Sequence, residues 1–139
     1  MGQYWKPVNL TKREFINPHK LNTGLKLVEQ AFSGDIASAM VILLAVMPEK
    51  RGGGDLQNNP FIGRWAGDMV AFAGDYSKDT DMLNSPIPFG IVYALTHGDE
   101  MTDERGVTHK PFTDVTEDVI EIMQANGMWS EPNPAEQPF

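Results

Sequence analysis

The sequence predicts an α+β fold in a single domain, a small and mostly antiparallel sheet packed by about three helices. Three observations carry this expectation. The N-terminal residues alternate like a hairpin, and two later segments repeat apolar residues at helical spacing between recognisable caps. Apolar residues make up 41% of 139, enough for one core without a covalent staple. The domain is expected over residues 1–127, with residues 128–139 a loose Pro-rich tail.

Residues 3–16 read as the hairpin. Gln3 to Val8 is rich in strand formers, Glu14-Phe15-Ile16 answers it, and Asn9-Leu10-Thr11-Lys12 supplies the turn. Pro7 cannot donate to a ladder, so this strand is expected at an edge or with a bulge. Asn17-Pro18 then turns the chain out of the strand.

Thr23 is a candidate cap for a helix over 24–32, with Leu25, Val28 and Phe32 inward and Lys26, Glu29 and Gln30 outward. A second helix is expected over 36–47, capped by Ser33 or Asp35. Its later turns are apolar on every side, which predicts a buried helix. Pro48 ends it, and a thirteen-residue connection follows to Pro60. Residues 61–65 and 69–73 read as strands, the second apolar on both faces and therefore central. Ala-Gly-Asp at 66–68 returns at 73–75, too short an echo to be a structural repeat. Residues 75–88 form a second polar loop. Residues 89–95 fit strand or helix, and 107–109 an edge strand. A last helix is predicted over 116–125, with Glu117 and Asp118 in its first turn and Asn126-Gly127 at its end.

Several function classes are excluded or unsupported. No run reaches the ~18 apolar residues of a membrane span, and the N-terminus lacks the apolar region of a signal peptide. A cytoplasmic location without membrane association is therefore expected. The absence of Cys removes thiol catalysis, disulfides and thiolate metal sites. A net charge of −8 argues against general nucleic-acid binding. The histidines at 19, 97 and 109 have no metal-ligand spacing, and Asp75, Asp79 and Asp81 miss the calcium-loop register. No Gly-x-Ser-x-Gly occurs, and no cofactor is expected.

The charge is uneven. Residues 1–51 hold seven Lys+Arg against four Asp+Glu, a net of +3; residues 52–139 hold four against fifteen, a net of −11. The cations bunch up to the segment Lys50-Arg51-Gly52-Gly53-Gly54-Asp55. Successive glycines let backbone amides approach an anion, and Arg64 offers a planar fork for a carboxylate or phosphate. The segment lacks the Walker ending and follows a helix rather than preceding one, so a plain connector stands beside the anion reading. Trp65 is either core or, with Tyr76, an aromatic platform, and Arg64 is either a clamp or an ion-pair partner of Asp68 or Asp75.

The block Met1-Gly2-Gln3-Tyr4-Trp5 with Val8-Asn9-Leu10 resembles a family of small bacterial and phage proteins that begin Met-Gly-x-Tyr-Tyr and continue with Val-Asn-Leu. The resemblance extends through Pro18-His19, Gly24-Leu25-Lys26-Leu27, residues 51–55, Trp65-Ala66-Gly67-Asp68, Gly74-Asp75-Tyr76 and Thr113-Asp114. Trp5 and residues 97–111 depart from it. It implies a prokaryotic or phage origin and, having no established activity, transfers no catalytic residues.

Three functions follow as expectations. One is a non-enzymatic binding protein, possible in an anti-defence role, for a small anionic, nucleotide-like ligand or a host protein. Its ligand site would comprise Lys50, Arg51, Gly52, Gly53, Gly54, Asp55, Arg64, Trp65, Asp68 and Tyr76. Another is a small enzyme with acid–base groups among Asp55, Asp68, Asp75 and His97, on loops 48–60 and 74–99. The third is an acidic interaction module or inhibitor without a small-molecule ligand. Oligomeric state is left open.

Overall fold

The structure, a computed structural model, describes residues 3–129 and shows an α+β fold with four helices and two small, mostly antiparallel sheets. The hairpin forms β1 (Trp5–Asn9) and β2 (Glu14–Phe15), paired antiparallel with Val8 opposite Phe15. β3 (Val70–Gly74) pairs with the other side of β1, Pro7 opposite Phe72. The expected positions of these strands are exchanged: β1 is interior and β3 is the edge. Pro7 is tolerated because its carbonyl accepts from Ile16 N–H at 3.0 Å on the β2 side. Its missing donor lies on that same side, where β2 has ended. β3 is apolar on both faces because both are covered: Val70 and Phe72 pack on one core cluster, Ala71 and Ala73 on the other.

Helix α1 (Leu27–Ala31) is shorter than expected, and Lys26, not Thr23, stands at its N-cap. Thr23 Oγ1 instead donates to Leu21 O. α2 (Gly34–Leu44) is capped by the Ser33 hydroxyl, which accepts from Ile36 N–H at 3.1 Å. It is not buried all round. Ile36, Ala39, Ile42 and Leu43 face inward, whereas Val41 and Leu44 lie exposed.

The expected strand at 61–65 is absent. Residues 60–67 form successive turns, whose Gly63 and Trp65 amides donate to Ile42 O and Leu43 O at 2.8 and 2.9 Å. Two carbonyls of the last turn of α2 are thereby satisfied, and a backbone bonded to a helix end cannot also join a ladder. Gly63 takes a φ of +79°, and a side chain there would run into the Ala45 carbonyl.

Residues 89–95 settle as a 3₁₀ turn leading into helix α3 (Val92–Leu95). β4 (Met101–Thr102) and β5 (Thr108–His109) make a separate hairpin, so the expected strand near 107–109 pairs outside the main sheet. β6 (Thr113–Asp114), which has no counterpart in the sequence reading, joins β2 in parallel. α4 (Thr116–Ala125) lies where the sequence placed it and packs Val119, Ile122 and Met123 into the core.

The sheet divides the core. One cluster joins α2, α4, Ile62 and Trp65; the other joins Val8, Leu10 and Phe15 to Ile87, Phe89, Val92 and Leu95. Met128 and Trp129, the start of the expected loose tail, pack against the first cluster. The rest of that tail lies outside the described residues.

Candidate functional site

The glycine segment borders a groove of about 400 Å³ beside the C-terminal end of α2. Val41, Ala45, Val46, Met47 and Leu56 give it an apolar lining, and Glu49, Arg51, Gly54 and Asp55 add the polar part. The loop satisfies itself. Asp55 Oδ2 accepts from the Arg51 and Gly52 amides at 3.0 and 3.1 Å, and Asn58 Oδ1 accepts from the Lys50 amide at 2.6 Å. These amides hold the Asp55 carboxylate below the usual range, the Arg51 amide contributing most. The chain's own carboxylate thus occupies two of the amides that could cradle an anion, those of Arg51 and Gly52, and the Arg51 side chain turns to Glu49 at 3.6 Å.

The remaining candidates sit elsewhere. Arg64 and Trp65, expected on opposite faces of a strand, both reach Glu14. Arg64 Nε and Nη2 donate to Glu14 Oε2 at 2.9 and 2.5 Å, and Trp65 Nε1 donates to Oε1 at 2.9 Å. The turn geometry permits this, since a strand would have sent consecutive side chains apart. Arg64 therefore pairs with Glu14 rather than with Asp68 or Asp75, and Trp65 is fully buried. Asp68 is held by Lys12 and by Asn9 Nδ2, and its carboxyl is lowered chiefly by the Lys12 bond. Tyr76 stands exposed beyond the end of β3. So Arg51, Gly54 and Asp55 share the groove, whereas Arg64 and Trp65 converge on the buried Glu14 and Asp68 belongs to the hairpin turn.

Among the groups considered for acid–base work, Asp75 Oδ1 accepts from the Tyr4 amide at 2.9 Å, and the His97 ring meets Tyr93 edge-on at 4.9 Å. Loops 48–60 and 74–99 do not meet in the groove. Two adjoining hollows of about 290 Å³ draw on residues 79–91 and 102–105, and neither takes lining from the first loop. In the β4–β5 hairpin the buried Asp103 carboxylate meets His109 Nε2 at 2.9 Å and Arg105 Nη2 at 3.1 Å. It also accepts from the Arg105 and Val107 amides, which makes it the organiser of that turn. Its carboxyl lies far below the usual range, chiefly through His109. Among the described residues, no group of three His, Asp or Glu is placed to hold a metal ion.

Two features escaped the sequence reading. The first is Lys6, only 6% exposed. Its Nζ donates to Thr96 Oγ1 at 3.0 Å and lies 4.9 Å from the Tyr93 ring centre and 5.3 Å from that of Phe15. Burial pushes its pKa down, with Asp114 opposing, and pushes the Tyr93 hydroxyl up to about 12. The alternation Lys6, Val8, Leu10 was the available signal, since it sets the lysine on the apolar face of β1.

The second is an inversion of α1. Gln30, expected outward, is 3% exposed and donates through Nε2 to Trp5 O and Leu25 O at 2.8 and 2.9 Å. Val28 and Phe32, expected inward, are 69% and 88% exposed. The periodicity was legible, but not which side faced the protein. Gln30 Nε2 reaches two backbone carbonyls at once, Trp5 O and the Leu25 O that also accepts from Trp5 N–H at 2.8 Å, and so ties the start of β1 to the entry of α1.

Among the described residues, no helix is long and apolar enough to cross a membrane. Comparison with protein-family models, with curated proteins and with solved structures finds no match to this chain.

Proposed function

We propose that this chain is a non-enzymatic binding protein whose contact face is the outward side of α1, and whose ligand is an apolar segment of a host protein. The inversion of α1 carries this reading. A short helix that buries Gln30 and leaves Val28 and Phe32 in water forgoes about 1.5–3 kcal/mol for each apolar side chain it could bury. A partner covering that face would recover it, as at other exposed apolar patches. Leu27, also exposed, extends the same surface. The small-anion version has less support, because Asp55 already accepts from the Arg51 and Gly52 amides and the Arg51 side chain pairs with Glu49.

The test compares the wild type with a Val28→Glu/Phe32→Ser variant, both checked for an unchanged melting transition. A protein recovered from bacterial extract is purified and titrated against each. The proposal expects one-to-one binding that weakens at least about tenfold, roughly 1.4 kcal/mol, in the variant. Equal affinity for both would overturn it. A thermal shift with nucleotides that disappears in Arg51→Ala would restore the anion reading instead.

A further inference from the structure

β3 is an edge of the main sheet, and its outer side is open over a short window. The ladder to β1 shows where. Leu10 N–H donates to Met69 O at 2.8 Å and Asp75 N–H to Tyr4 O at 3.0 Å, in the register that sets Val8 opposite Ala71 and Lys6 opposite Ala73. Hydrogen-bonded pairs alternate along an antiparallel ladder, so Ala71 and Ala73 bond to β1, and Val70, Phe72 and Gly74 direct their N–H and C=O off the sheet. Gly74 is closed by Ser77, whose hydroxyl accepts from its N–H at 2.9 Å and whose amide donates to its carbonyl at 3.1 Å. Among the described residues, nothing bonds to the Val70 and Phe72 backbones on that side, and both residues are partly exposed.

Open backbone groups at alternate residues of a strand call for another strand. This window is complementary to itself. When two copies of β3 lie antiparallel about a two-fold axis at Ala71, Val70 of each faces Phe72 of the other, and each such pair exchanges both N–H···O bonds. Every open group of both windows is then used. Ala71 meets its own counterpart on the axis, at the position where paired strands approach to about 4.5 Å and a small side chain fits. Val70 meets Phe72 on the face that carries the α2–α4 cluster, so one apolar surface runs across both copies. The charges agree with this register. It sets Asp68 across from Gly74 and Asp75 across from Gly67, so no carboxylate opposes another. A longer foreign strand would gain little more, because Ser77 closes one end and the Asp68 amide already donates to Trp65 O at 3.1 Å at the other.

We infer that the open edge of β3 pairs with the β3 of a second copy of the chain, joining two four-stranded sheets into one. Sedimentation equilibrium and amide hydrogen exchange of the full chain, over about a hundredfold range of concentration, test this. The weight-average mass should climb above the 15.4 kDa of one chain toward twice that value. Over the same range the Val70 and Phe72 amides should slow at least about tenfold, while those of Ala71 and Ala73, bonded within the chain, should not change. Val70→Pro removes an outward N–H and leaves the ladder to β1 intact, so it should stay at the single-chain mass with the Ala71 and Ala73 amides still protected. Val70→Thr keeps the donor and should associate like the wild type. A single-chain mass for the wild type at every concentration overturns the inference. So does protection of Val70 and Phe72 that ignores concentration, which would place another part of the same chain on the edge. Association that leaves those two amides unprotected, or that survives in folded Val70→Pro, overturns it as well, and the wild-type exchange decides the matter even where that variant fails to fold. None of these results bears on the α1 face, whose test reads a different partner on different residues.

Discussion

Each face of the main sheet buries one charged side chain, and the two are held in opposite ways. On the face toward α2 and α4, Glu14 receives three donors from Arg64 and Trp65. On the other face Lys6 has, among the described residues, a single hydroxyl acceptor and two aromatic rings, and no carboxylate bonded to it. Both residues come from the first fifteen of the chain, in adjacent strands. Glu14 ties the turn series at 60–67 to the hairpin, so its charge organises long-range structure. Lys6 organises nothing comparable, since Thr96 already donates its hydroxyl proton to Tyr93 O at 2.6 Å. A buried charge with full partners is a structural joint, and one without them lowers stability unless the rings compensate.

The comparison breaks most visibly at Glu14. Glu14→Ala removes the acceptor of a fully buried indole N–H and the partner of Arg64. The expected loss is about 2–4 kcal/mol, less than for a fully buried pair because Arg64 can turn to water. Urea denaturation reads it as a lower midpoint. Glu14→Gln should lose less, since an amide oxygen can still accept from Trp65. Equal losses would show that the charge, not the acceptor, matters.

Trp65→Phe addresses the same joint from its other end. It removes one donor and some core volume, for an expected loss of about 1–3 kcal/mol. In combination with Glu14→Ala the losses should fall short of their sum, because both remove the same hydrogen bond. Strict additivity would mean that Trp65 acts by packing alone.

How much of this was legible follows from range. α4 could be read because its caps, acidic first turn and apolar stripe all lie within its own twelve residues. The hairpin could be read for the same reason. The segment at 61–65 could not, because its amides bond to the carbonyl end of α2, more than twenty residues upstream, and no local pattern records that. β6 escaped because two residues paired in parallel leave no periodicity. The glycine segment was recognised as a loop with anion-binding chemistry, but its spacing did not reveal that Asp55, three residues past Gly52, would supply the anion. Arg64 offered two nearby aspartates as partners, and the true one lay fifty residues away in β2.

Lys6→Met separates the faces further. It keeps the side-chain length and removes a buried ammonium from an apolar setting. Stability should change by no more than about 1 kcal/mol, toward gain, where the alanine change at Glu14 brings a clear loss. A loss as large as that of Glu14→Ala would show that the two faces are not different in kind.

The smallest effect is the pH dependence that Lys6 imposes, and it shows whether the aromatic rings offset burial. The folded-state pKa of Lys6 lies below its ordinary 10.5. Between those two values the unfolded chain binds more protons than the folded one, so stability rises with pH across that window. Tyr93, raised to about 12, and Lys20, raised chiefly by its bond to Asp114, act in the opposite direction, and only near and above pH 10. Both are present in Lys6→Met, so the difference between wild type and variant isolates Lys6. Urea midpoints at pH 7, 8, 9 and 10 should show the wild type gaining on the variant toward the alkaline end of the series. The full gain is about 1.4 kcal/mol for every unit by which the two pKa values differ. A flat difference would mean that the Tyr93 and Phe15 rings stabilise the ammonium as well as water does. A falling one would mean that they do so better, and the buried lysine would then be a joint of the same rank as Glu14.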